Sequence, residues 1–221
     1  MHIEANPPSR SRLVAEMALI YGAAPLGIYA LAFEAGVPLL GVLAPVFLLV
    51  VLALSLDRTF SWRELFVTPI TRAELRSILT LFAVLGSGIV GVAYFLHPQQ
   101  FFGFPRHTPG LWLAVMVLYP LVSVTVQEIM FRVLFAHRYL GLFGGKLGLA
   151  VFVNAVLFAY SHLIFESWVT ILVSFAGGLI FAYRYFTYRS FWGVCLEHAL
   201  YGNLIFTVGL ARYFFIGMPF G

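Results

Sequence analysis

Val126-Gln127-Glu128-Ile129-Met130-Phe131-Arg132-Val133 sets an acid and a base four residues apart inside a long apolar run. On a helix, positions i and i+4 share a face, so Glu128 and Arg132 are placed to neutralise each other. An ionisable group near the middle of a membrane helix costs about 2.5–3.5 kcal/mol on insertion scales and normally faces the bundle interior. The pair therefore marks a functional interior, and the rest of the chain reads as scaffolding around it.

Composition agrees with a membrane setting. Of 221 residues, 62% are apolar and only 10% charged, with 23 Phe and a mean hydropathy of +0.96. A soluble domain carries about a quarter charged residues. The fold class expected is all-α, a polytopic bundle of transmembrane helices forming a single membrane domain over residues 1–221. Its single cysteine, Cys195, excludes an intrachain disulfide. Arg10 and Arg12 precede an apolar run without an obvious small-residue cleavage site, which reads as a retained first span. The net charge of +4 comes from residues at the ends of apolar segments rather than from a basic patch. It reports topology in a lipid bilayer and gives no sign of nucleic acid.

Apolar runs of about 20 residues divide the chain. After a polar leader, Met1 to Ser11, span 1 is expected from Leu13 to Phe33 with Glu16 in its first turn, and span 2 from Leu39 to Leu56. Phe60 to Ile70 suits a segment lying on the membrane surface. Thr71-Arg72-Ala73-Glu74 reads as a capping box opening span 3, which runs to about Leu96; its Gly86, Ser87, Gly88 and Gly91 suggest close helix packing. His97 to Gly110, with three prolines, is a loop. Span 4 starts at Leu111 and carries the acidic motif, with Pro120 as its kink. Gly144-Gly145 breaks the chain before span 5 (Leu147 to Phe165), span 6 (Trp168 to Phe186) and span 7 (Phe191 to about Phe206). Seven spans are expected, or eight if the residues up to Phe215 form a separate piece.

Basic residues orient this scheme. With a cytoplasmic N-terminus, Arg10, Arg12, Arg58, Arg63, Arg72, Arg76, Arg138, Lys146, Arg184 and Arg189 fall inside. Arg106 and Arg212 fall outside. That asymmetry is a positive-inside bias favouring N-in.

Polar groups recur on three later spans: Gln127, Glu128 and Arg132 on span 4, Phe158 to His162 on span 5, and Glu197 to Asn203 on span 7. Taken singly, a membrane histidine is as often an interhelical hydrogen-bonder as a functional group. Depth argues for convergence. If span 4 extends to about Leu142, Glu128 lies about 21 Å before the turn and His162 about 22 Å after Leu147, at 1.5 Å per residue. Glu128, Arg132, His162 and His198 are then expected around one water-accessible cavity. Asn154, Phe158 and His162 share a face of span 5.

The acidic motif followed after three residues by Arg132, the Phe158-x-x-x-His162 of the next span, and the late His198 followed by Asn203 together resemble the CAAX prenyl endopeptidase and Abi (CPBP) intramembrane protease family. The likeness covers about Val115 to Ile205, including Gly178 and the approach from Arg189 to Asn203. It implies peptide hydrolysis within the membrane. Position 127 or 128, with His162, would activate water, while His198 and Asn203 would steady the oxyanion. The substrate implied is a membrane-anchored or C-terminal tail of another protein, for instance a prenylated or sorting tail, and the setting a bacterial or archaeal cell membrane. No cofactor is required, although zinc held by Glu128, His162 and His198 stays open; there is no H-E-x-x-H on one helix.

Two positions depart from the family pattern. Its members usually carry two glutamates, and here the first is Gln127, which holds water but takes no proton. A natural variant using Glu128, a non-catalytic scaffold or immunity-type relative, and a chain in which Glu was replaced by Gln all fit. The family's asparagine usually follows its histidine by four residues; Asn203 follows His198 by five, about 140° away on a regular helix. A bulge at Gly202 would bring it back. Cys195 reads as inert packing, Glu197 as a structural partner of Arg184 or Arg189, and Ser161 supplies no triad. A transporter ranks last, because no inverted repeat is visible.

Overall fold

The computed structural model describes residues 8–214, whose regular elements are all helices, with no strand among them. Among these residues nine helices follow one another: α1 Arg10–Glu34, α2 Leu39–Leu56, α3 Glu64–Val67, α4 Arg72–Leu96, α5 Gly103–His107, α6 Pro109–Arg138, α7 Leu147–Phe165, α8 Trp168–Tyr188 and α9 Phe191–Val208. The chain is a polytopic helical bundle. Five helices, α1, α4, α6, α7 and α8, are long and apolar enough to cross a membrane, and α2 contributes a shorter apolar stretch, Gly41–Leu56.

All seven expected spans therefore exist as helices, but α9 is not among the five. Its 18 residues include Glu197, His198 and Asn203, and both Glu197 and His198 are buried inside the protein. No eighth span forms among the described residues; a short 3₁₀ turn, Ala211–Tyr213, follows α9, and Phe215 lies outside them. The polar leader is shorter than expected. Ser9 Oγ accepts from the Arg12 amide at 3.3 Å, so helix begins at Arg10 rather than Leu13. Within the proline-rich loop, α5 forms and buries Phe104.

Prolines inside the spans loosen the helical ladder. Pro120 lies in a π-helical turn, Tyr119–Val124, because it has no N–H to offer the carbonyl four residues back and its ring crowds that oxygen. A second π turn, Ile129–Leu134, follows the acidic motif. Carbonyls in this region are taken by side chains of neighbouring helices: the Tyr21 hydroxyl donates to Met130 O and the Asn154 amide to Phe131 O, both at 2.6 Å. Asn154 thus ties α7 to α6.

Contacts hold Arg10 and Arg138 at one end of the bundle. Arg10 donates to Leu142 O, and Arg138 binds Glu16 through two nitrogens at 2.9 and 3.0 Å and approaches Asp57 at 3.5 Å. The hydroxyl and amide of Thr59 donate to Asp57, with His137 beside them, and hold its carboxyl down at about 2. Thr71 Oγ1 accepts from the Glu74 amide at 3.1 Å, but the Glu74 side chain does not close the box; it is fully buried against Gly193. Nearby, Arg184 grips Glu197 through two bonds of 2.7 and 2.8 Å. At the far end, Tyr213 pairs with His97, and Thr170 with the Tyr213 carbonyl.

Small residues pack helices at two particular places. A Cβ on Gly178 of α8 would meet the Ala155 backbone at 2.8 Å, so α7 and α8 touch there. Gly86 of α4 sits against Leu204 of α9. The broader expectation for α4 does not hold: Gly91 has open space around it and Gly88 faces a cavity.

Candidate active site

A cavity of about 800 Å³ opens among α4, α6, α7, α8 and α9. Tyr119, Ser123 and Gln127 of α6, spaced by four, supply one polar wall; His162 and His198 supply another. Gln127 Nε2 donates to Ser123 Oγ at 2.8 Å, and its Oε1 has no hydrogen-bond partner among the described residues. The remaining lining is largely aliphatic and aromatic and runs to the far end, where His97, Tyr213 and Phe214 close it. Val92 of α4 and Leu118 and Val122 of α6 line this space and are each more than half exposed, so the cavity is open along these flanks.

Glu128 and Arg132 form the expected pair, Nε to Oε2 at 3.3 Å, both 0% exposed. The guanidinium lies over the Phe158 ring, 4.3 Å from its centroid, and 5.5 Å from that of Phe181. Glu128 also reaches across to α9: its Oε1 is 2.7 Å from His198 Nδ1. Neither Glu128 nor Arg132 lines the cavity, which corrects the expectation that both would. Position 127, about 100° round the helix, is the one that faces it.

The partners of the two imidazoles assign their tautomers. A backbone carbonyl only accepts, so His162 Nδ1 donates to Phe158 O at 2.7 Å. A carboxylate likewise accepts from His198 Nδ1. Among the described residues, neither Nε2 has a hydrogen-bond partner. Both rings meet Phe158, at centroid distances of 4.6 and 5.9 Å, and His198 stacks on Phe181 at 4.5 Å. The hairpin geometry explains the shared level: α6 runs to Arg138 and a short 3₁₀ turn, Leu140–Phe143, carries the chain to α7.

Asn203 is not brought to this site. α9 stays α-helical through Gly202, so no bulge cancels the offset. The Asn203 amide instead donates to Met116 O at 3.2 Å, the carbonyl that Pro120 leaves without its usual donor. None of the other candidates lines the cavity. Ser161 donates to Phe158 O, Glu197 is held by Arg184, and Cys195 is a buried free thiol. Among the described residues, no three His, Cys, Asp or Glu side chains are grouped to hold a metal ion. Tyr119 and Ser123 were legible only as a four-residue spacing leading up to Gln127.

A family model described as Rce1-like, type II CAAX prenyl endopeptidase, matches residues 108–204. That stretch begins just before α6 and takes in every group of the cavity's polar walls. No curated protein and no solved structure matches the chain.

Proposed function

From a stretch, residues 108–204, that matches the Rce1-like type II CAAX prenyl endopeptidase family, we propose that this chain is a membrane-embedded endopeptidase that cuts a C-terminal or membrane-anchored tail of another protein. One observation supports the reading above all: Glu128 sits behind His198, at 2.7 Å from Nδ1, while His198, His162 and Gln127 share the cavity. A carboxylate on one ring nitrogen fixes the tautomer and strengthens the other as a base, the logic of a triad.

In this reading, Gln127 and His162 hold a water and His198 Nε2 takes its proton. The water oxygen bonds to the peptide carbonyl carbon as the carbonyl π pair moves onto oxygen. Collapse restores the double bond and breaks the C–N bond, and the leaving amine takes the proton from His198. Glu128, paired with Arg132, faces the imidazolium and steadies it. The aliphatic far half of the cavity receives the tail. With a cytoplasmic N-terminus, as the basic residues favour, that half faces the outer side of the membrane.

Gln127 supports a second reading, a non-catalytic scaffold or immunity-type relative, since this side chain accepts no proton. One experiment separates the two. Purified protein in liposomes is given a mixed set of membrane-anchored tail peptides, and the products are read by mass spectrometry for the chain as it stands and for Gln127→Glu and His198→Ala. New carboxyl ends that vanish in His198→Ala support the endopeptidase. Identical products in all three folded proteins leave the scaffold.

A further inference from the structure

Peptide hydrolysis at this site needs a donor for the oxyanion, and the asparagine assigned to that task by resemblance is committed to Met116 O. His198 and Gly202 both line the cavity and lie about one turn apart on one face of α9, about 6 Å along its axis. Residue 202 is therefore where a donor on α9 would have to project. It is glycine, and the space a side chain would fill is already taken: a Cβ there would overlap the hydroxyl and ring of Tyr119. That phenol comes from α6 across the cavity wall. Its ring meets His198 edge-on at 6.1 Å and Phe206 at 5.0 Å, which fix its plane. Tyr119 lines the cavity in the same four-residue column as Gln127, and its hydroxyl makes no hydrogen bond among the described residues.

We propose that Tyr119 is a catalytic residue: its hydroxyl donates to the oxyanion formed when water attacks the scissile carbonyl, standing in the place that the absent side chain of Gly202 leaves on α9. This rests on the endopeptidase reading above. The phenol keeps its proton and supplies a hydrogen bond only, so the balance of the step is unchanged. The fit is reciprocal. Glycine at 202 is needed because Tyr119 occupies the site, and any larger residue there displaces the donor.

The test uses full-length protein in liposomes with a membrane-anchored peptide that it cleaves, and a peptidyl phosphinate of the same sequence as the tetrahedral mimic. Tyr119→Phe is expected to lower kcat by about 10²–10³ with KM within about twofold, since the lost bond forms only in the transition state. It is also expected to weaken phosphinate binding by a similar factor while leaving the uncleaved amide unaffected. Gly202→Asn alone is expected to abolish cleavage by displacing the phenol. Tyr119→Ala with Gly202→Asn, which vacates the space and fills it with an amide donor, is expected to exceed Tyr119→Ala at least tenfold. Tyr119→Phe with unchanged kcat and phosphinate affinity, or a double variant no better than Tyr119→Ala, overturns the proposal while the endopeptidase reading stands. If neither the chain as it stands nor Gln127→Glu cleaves any tail peptide, both fall together.

Discussion

Glu128 Oε1 and His198 Nδ1 approach to 2.7 Å across the α6–α9 interface, and the same carboxylate faces Arg132 with its other oxygen. One buried acid thus neutralises a base on its own helix and orients an imidazole on another. The two tasks are separable by mutation.

Glu128→Gln removes the acid that pairs with Arg132 and leaves a buried cation, which costs about 3–5 kcal/mol. The expected result is a large loss of folded protein together with loss of cleavage. Adding Arg132→Met should recover much of the folded yield, read by thermal unfolding in detergent, but not the cleavage, because His198 still lacks its carboxylate. Full activity in the folded double variant would remove Glu128 from the mechanism.

Gln127→Glu is expected to raise cleavage of a tail peptide by at least tenfold. Residue 127 lines the cavity with His162 and His198, so a carboxylate there is placed to take a proton from the water that they hold. A rate that does not change would show that His198 alone sets the basicity of the site.

Asn203→Ala should behave as a structural change. Its amide satisfies the Met116 carbonyl, and leaving that oxygen unpaired costs about 1–3 kcal/mol. Thermal stability should fall while kcat per folded molecule stays within about twofold. A drop of about 10² in kcat at full stability, the size expected for a lost oxyanion donor, would return Asn203 to the site.

Cleavage is expected to survive exhaustive chelation. The histidines keep one Nε2 each, and Glu128 is shut behind His198 with Arg132, so the donors needed for zinc do not converge. Stoichiometric zinc in active protein, with activity lost to a chelator and restored by the metal, would contradict this.

The helices were legible because apolar runs and their breakers are strong local signals. The pairing of Glu128 with Arg132 followed from spacing, and that of Glu197 with Arg184 was among the two partners anticipated. The assignment of faces was harder. Whether Glu128 or Gln127 meets the cavity depends on two π turns in α6, and a sequence shows Pro120 but not how far that proline rotates the later turns of the helix. Asn203 misled for a related reason, since its partner is a carbonyl freed by a proline on another helix. Tyr119 carried no motif. Its significance comes from Gly202, far away in the chain, and only the fold sets the two together.

The opening along the flanks of α4 and α6 changes what concentration means for this protein. Leu118 and Val122 of α6, and Val92 of α4, line the cavity and are each more than half exposed, on helices apolar enough to cross a membrane. On the proposed endopeptidase reading, a tail anchored in the bilayer would reach the cavity by sliding sideways, without leaving the hydrocarbon for water. Its encounter rate is then set by how many tails share each patch of membrane, so saturation should track mole fraction in the lipid. Diluting the vesicles in buffer would leave half-saturation unmoved, whereas adding inert lipid would shift it in proportion.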